Sequence, residues 1–143
     1  MKKELQEKIF EKYSLFFKTA NREDTSGPIM PIDFGIEFWD GWYWLLDNVL
    51  NTIKKYCELN DVEPIDITQI KEKNGGLEIY YNGGNELIDG MIWFSESLSY
   101  KICEHCGTTE NVGQTKDWII TLCENCAKNP EVNYNKLEWE KNS

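Results

Sequence analysis

Cys103-Glu104-His105-Cys106-Gly107 and Cys123-Glu124-Asn125-Cys126-Ala127, with residues 107–122 filling the gap, decide how this chain is read. Two residues between thiols let a tight turn aim both sulfurs at one point, and the spacer has the length of paired-cysteine zinc sites. Local backbone N–H groups bond the sulfurs of such a turn, and Gly107 supplies the permissive backbone it needs. Cys103, Cys106, Cys123 and Cys126 are therefore expected to hold one structural Zn2+ in a small zinc ribbon. Four thiolates close a tetrahedral ion and leave no place for a catalytic water. Disulfide or redox pairing is the competing reading, disfavoured in a chain expected to stay in a reducing compartment. His105 is expected at the exposed tip of the first knuckle and not as a substitute ligand.

Upstream of the cysteines the hydrophobic period alternates between helix and strand. Leu5, Ile9, Phe10, Tyr13, Phe16 and Phe17 recur at helical spacing within Lys3–Lys18 and predict an amphipathic helix. Asn21–Pro31 reads as a loop. Asp40 is placed as the N-cap of a second helix that carries Trp42, Leu46, Val49, Leu50, Ile53 and Cys57 and ends near Leu59. On that face Cys57 is a small buried hydrophobe. Ile65, Ile67 and Ile70, then Leu77, Ile79 and Tyr81, flank Asn74-Gly75-Gly76 and predict a β-hairpin. Glu86–Ser99 is a third helix, in which Phe94 and Leu98 are expected to be buried and Gly90 to be compensated by close packing. Asp117-Trp118-Ile119-Ile120-Thr121-Leu122 reads as a strand leading into the second cysteine pair. The whole is an α+β fold: a scaffold over residues 1–99, a C-terminal four-cysteine zinc ribbon over 100–129 packed on it, and a tail over 130–143 that either docks or frays.

Composition narrows the function. The 143 residues carry 15 Lys and Arg against 25 Asp and Glu, a formal net charge of −10. Nucleic-acid affinity rests on clustered positive charge, so direct binding of DNA or RNA is not expected. The negative balance either keeps the chain in solution or presents an acidic face to a basic protein surface. No apolar run is long enough for a membrane span, and no signal peptide is read at the charged N-terminus, so the expected location is the cytoplasm. His105 is the only histidine, which removes Ser-His-Asp and Cys-His chemistry, and no phosphate-binding or dinucleotide loop occurs. Glu23/Asp24 and Asp61/Glu63 read as solvated charge.

Several stretches together resemble a family of small proteins encoded mainly by bacteriophages and prophages. They are Asp40-Gly41-Trp42-Tyr43, Gln69–Tyr81 with its Lys-Glu-Lys-Asn-Gly-Gly-Leu centre, Ile88-Asp89-Gly90-Met91, Ser99–Gly107 and Asp117–Cys123. Asn74 departs from the family's usual aromatic and Asp117 from its usual Gly. The resemblance implies a phage origin and supports the zinc reading, and it brings no activity with it. The expected function is a non-enzymatic, zinc-containing protein-binding module. It would be an inhibitor or adaptor of a host nucleic-acid-handling protein, such as a CRISPR-type defence nuclease, whose basic groove accepts acidic side chains. Glu104, Glu110 and Glu124 are the acids expected around the ribbon; apolar contacts by Trp39 or Trp139 are the explanation that replaces them if the acidic face does not carry the binding. The alternative is a nucleic-acid-binding zinc ribbon that stacks bases on Trp118, Tyr80 or Tyr81.

Overall fold

The computed structural model describes all residues, Met1–Ser143. Its elements are helix α1 (Lys3–Lys12), strand β1 (Ile36–Glu37), helix α2 (Tyr43–Asn60), strands β2 (Asp66–Lys73) and β3 (Gly76–Asn82), helix α3 (Glu86–Ser99), strands β4 (Val112–Thr115) and β5 (Thr121–Cys123), helix α4 (Glu124–Lys128) and strand β6 (Trp139–Lys141). They form a mixed α+β fold with two three-stranded sheets, ordered β1-β2-β3 and β5-β4-β6.

The first sheet grows from the expected hairpin. Lys73 faces Gly76 across a two-residue turn in which Asn74 and Gly75 both have positive φ, the conformation that matches the twist of the flanking strands. Strict alternation would send Ile67 and Ile70 to opposite faces. A bulge between Ile67 and Gln69 inserts one residue, and both isoleucines are buried. Residues 36–37 add a short parallel edge strand to β2.

Three boundaries differ from expectation. The first helix stops at Lys12 and continues as a 3-10 turn over Ser14–Phe16, which lets Phe16 and Phe17 both turn inward. Asp40 does not cap α2: it opens a 3-10 turn, Asp40–Trp42, and its carboxylate accepts from the backbone N–H of Lys2 at 2.8 Å. The strand expected from Asp117 begins only at Thr121, because Asp117 has φ 68° and a turn over Lys116–Trp118 projects Trp118 outward.

Helix α3 also differs in which face it buries. Ile88, Ile92, Ser95 and Ser99 point inward, while Phe94 is 66% exposed and Leu98 only half-buried. A face at i, i+4, i+7 and i+11 lies on one side of a 3.6-residue helix, and Phe94 falls outside it. A small serine stands where the helix meets the hairpin: Ser99 Oγ accepts from the N–H of Leu77 at 2.9 Å. Gly90 has open space where a Cβ would be, so no close packing compensates it. Phe94→Ala is thus expected to lower stability by less than about 1 kcal/mol, whereas Ile92→Ala should cost about 2–5 kcal/mol. Urea denaturation of the two variants checks the pair.

A core of 22 buried residues fills the space between α1, α2, α3 and the first sheet, with Trp42, Phe17, Leu46 and Ile53 fully enclosed and Cys57 at its margin, as expected. A second cluster of six lies at the other end and consists of Cys103, Val112, Leu122, Cys123, Cys126 and Val132. The segment after Asn129 docks. β6 pairs with β4 in the register Gly113–Lys141 to Thr115–Trp139, and the Asn133 side chain bonds the backbone of Ala127 and Leu137.

Candidate metal centre

The four cysteines arrive from two different kinds of local structure. Cys103 and Cys106 sit on a tight turn in which the N–H of Gly107 donates to the carbonyl of Cys103 at 2.8 Å, and Cys103 N–H to that of Thr108 at 2.8 Å. Gly107 has φ 81°, a conformation that costs other residues steric strain. The second pair does not repeat this turn. Cys123 ends β5, and Cys126 lies in the first turn of α4, its N–H donating to Cys123 Sγ at 3.4 Å. The antiparallel pairing of Val112 with Cys123 and the bond from Glu124 N–H to the Asn111 carbonyl bring this helix start over the first turn.

All four sulfurs fall within 4.8 Å of one another, and Cys106 Sγ and Cys123 Sγ are 3.8 Å apart. A tetrahedral ion with metal–sulfur bonds of about 2.3 Å needs sulfurs about 3.8 Å apart. The sulfurs form no disulfide. This is a four-cysteine cluster suited to one metal ion, with Cys103, Cys123 and Cys126 buried and Cys106 exposed. Comparison with protein-family models, with characterised proteins and with solved structures finds no match. The geometry therefore stands on its own.

The electrostatics of the bare sulfurs call for a cation. Burial pushes the thiols of Cys103 and Cys126 above their ordinary value, and the neighbouring sulfurs push Cys126 further. At Cys123 burial acts upward too. The N–H of Cys126 and the hydrogen bonds of the other three thiols outweigh it, so that thiol lies below the usual range. Four thiolates packed this closely would repel one another strongly. A bound cation removes that repulsion and holds all four deprotonated.

His105 is exposed, as expected, but it is not idle. Its Nδ1 lies 3.6 Å from Cys126 Sγ and its ring stands edge-on to Trp39, with centroids 5.3 Å apart. With a metal bound, Cys126 is a thiolate and only accepts, so this contact would take the tautomer with the proton on Nδ1. Groups that orient a metal ligand in this way commonly change affinity 10- to 100-fold. His105→Ala is expected to weaken metal binding about tenfold, by competition against a chromophoric chelator, with the metal-to-protein ratio unchanged at saturation. The sequence places His105 at the tip, and only the fold shows that the tip bends back toward the second pair.

The expected ring of acids around the cluster is corrected by the structure. Glu110 is exposed, and Glu124 is half-buried and paired with Lys128 Nζ at 2.7 Å. Glu104 is buried, 6% exposed, because its backbone lies between the N–H of Gly41 and the carbonyl of Thr121. Burial pushes its carboxyl up to about 7, against the downward pull of the Trp39 N–H, which donates to Oε1 at 3.3 Å; nearby Glu72 adds to the rise.

The stacking residues of the alternative reading are scattered. Trp118 is 69% exposed, while Tyr80 lies on β3 at the margin of exposure. Tyr81 is half-buried and donates its hydroxyl proton to Asp89 at 2.5 Å. No helix of the chain is long and apolar enough to cross a membrane.

Proposed function

We propose that this chain is a zinc-stabilised protein-binding module that does no chemistry of its own and engages a partner through acidic surface. Four sulfurs and no oxygen or nitrogen donor favour Zn2+ over hard cations, and a full tetrahedral shell serves structure and not hydrolysis. One observation carries the binding reading. Of the 25 acidic side chains only seven stand in ion pairs: Glu7, Asp33, Asp40, Asp47, Glu124, Glu138 and Glu140. Nine of the 15 basic side chains also stand outside ion pairs, and buried Glu104 aside the unpaired acids still outnumber them, an excess of negative charge that steers a basic surface toward the protein and repels a phosphate backbone. Joined to the resemblance to phage-encoded proteins, it supports an inhibitor or adaptor acting in a host cytoplasm. The target class is a nucleic-acid-handling protein such as a CRISPR-type defence nuclease.

The test begins with capture from the natural host, using the zinc-loaded full chain after nuclease treatment. The captured protein is expected to carry a basic nucleic-acid-binding surface. Its association rate should fall as salt rises, since screening shortens the reach of surface charge to about 10 Å at 0.1 M. Reversing exposed Glu110 and Glu131 to Lys should slow association further without changing the melting temperature. A rate that ignores ionic strength would refute the acidic-surface mechanism. Retention of RNA or DNA in place of a protein would favour the nucleic-acid reading.

A further inference from the structure

Next to the first cysteine turn lies a cavity of about 410 Å³. It falls within the ~300–1,000 Å³ of ordinary ligand sites. Its walls come from separate parts of the chain: Trp39 before the Asp40 turn, Glu72 on β2, Glu104 on the first cysteine turn, Trp118 between β4 and β5, and Tyr134 and Leu137 from the docked tail. Two of these are carboxylates, and neither has an ion-pair partner. Glu72 Oε1 accepts from the N–H of Gly75 at 2.7 Å, and Glu104 Oε1 from that of Trp39 at 3.3 Å. The other oxygen of Glu104 receives no hydrogen bond from the protein. No fully enclosed side-chain oxygen in the structure lacks a partner, so this oxygen, on a side chain more than nine-tenths buried that lines the cavity, keeps access to solvent.

Large aromatic rings stand at the mouth. Trp118 is 69% and Tyr134 73% exposed, so both hold apolar area in water where ordinary packing would bury it. Two carboxylates and exposed aromatic side chains lining one cavity suit one chemistry. An ammonium or guanidinium is drawn by both, through charge-assisted hydrogen bonds to the carboxylates and cation–π attraction to the rings. Anions meet two carboxylates, and a neutral apolar group leaves the buried acceptor without a donor.

We propose that this cavity receives a lysine or arginine side chain of a protein partner. The proposal rests on the reading of the chain as a protein-binding module and names where on it the basic surface is gripped. Its direct test needs no identified partner. The zinc-loaded protein, 15N-labelled at its Trp indoles, is titrated with N-acetyl-arginine amide, N-acetyl-lysine amide, the uncharged isostere N-acetyl-citrulline amide, and putrescine. Saturable shifts are expected at Trp39 and Trp118 with the two cationic amides, and not at Trp44 or Trp93 on helices α2 and α3. Citrulline amide should leave all of them in place. Trp118→Ala, an exposed position whose change leaves the melting temperature alone, should weaken binding about five- to tenfold. Glu104→Gln should weaken it likewise.

Equal shifts with citrulline amide, or none with the cationic amides, would overturn the proposal. Putrescine binding more tightly than either amide would overturn the assignment to a protein side chain. A captured partner whose association slows with salt but is indifferent to Trp118→Ala would refute this cavity as the contact while leaving the acidic-surface reading intact.

Discussion

Stripping the metal is expected to unfold the C-terminal sheet while the N-terminal scaffold keeps its structure. The reason lies in what each core contains. The larger cluster encloses 22 side chains, among them Trp42, Phe16, Phe17 and eleven isoleucines. The smaller one has six, and three of these are cysteines of the metal site, which leaves Val112, Leu122 and Val132 as its fully buried apolar side chains, with Trp39, Ile120, Ala127 and Trp139 only partly buried against them. Three enclosed aliphatic side chains at about 1.5–3 kcal/mol each, with a partly exposed surround, do not offset the entropy of ordering short strands, a helix and a docked tail. Zinc supplies about 10–16 kcal/mol to comparable small sites. A zinc-to-protein ratio near one is expected by elemental analysis. After chelation, amide exchange should become fast across Cys103–Cys126 and β6, while Ile67, Ile70 and Ile79 remain protected. Cys103→Ser, at a fully buried ligand, should reproduce the chelated state. A metal-free preparation with native protection in β4 and β5 would contradict the role given to the ion.

What the sequence made legible follows from how local each signal was. The Asn74-Gly75 turn carries its own geometry, and the cysteine spacing carries its own coordination chemistry, so both could be read without knowing what packs around them. Helix existence was equally local: α2 runs Tyr43–Asn60 over the apolar positions that announced it. The failures concern facing and depth. A helix rich in apolar residues, such as α3, offers two candidate inward faces. The choice of Ile88 and Ile92 over Phe94 goes with Ser99, whose hydroxyl takes the Leu77 N–H and ties that face of the helix to the hairpin. Glu104 looked like surface because charged residues in short turns usually are. Its burial is imposed by Gly41 and Thr121, which come from elsewhere in the chain. The cavity, assembled from Trp39, Glu72, Glu104, Trp118 and the tail, has no contiguous signature at all. His105 illustrates the boundary: its exposure was readable, its bond to Cys126 was not, because that partner lies 21 residues on, beyond β4 and β5.

Gly41→Ala is expected to be among the most damaging single-methyl additions in the molecule, although Gly41 lies in neither apolar core. A Cβ built there would stand 2.2 Å from the carbonyl oxygen of Cys103 and 2.4 Å from that of Glu104. Both obstacles are backbone, so no side chain can rotate away, and the cysteine turn itself has to move. The same displacement strains the bond from Gly41 N–H to the Glu104 carbonyl, 2.7 Å, and that from Trp42 Nε1–H to the Ile102 carbonyl, 2.9 Å. Overpacking against rigid backbone with loss of a buried hydrogen bond costs about 2–4 kcal/mol. In a chain of this size that lowers the melting temperature by about 10 °C. The Cys103 carbonyl also accepts from Gly107 N–H and so sets the shape of the metal turn. Gly41→Ala should therefore weaken zinc retention as well, which a mutation confined to the scaffold would not do. Gly90→Ala is the matched control, since its Cβ meets nothing within 4 Å on an exposed helix face and should stabilise by about 0.5–1 kcal/mol. The expected result is a pair of Gly→Ala changes moving the melting temperature in opposite directions, with only Gly41→Ala releasing zinc to a competing chelator. If Gly41→Ala melts with the wild type and holds zinc as firmly, the scaffold and the metal centre are not coupled through this contact.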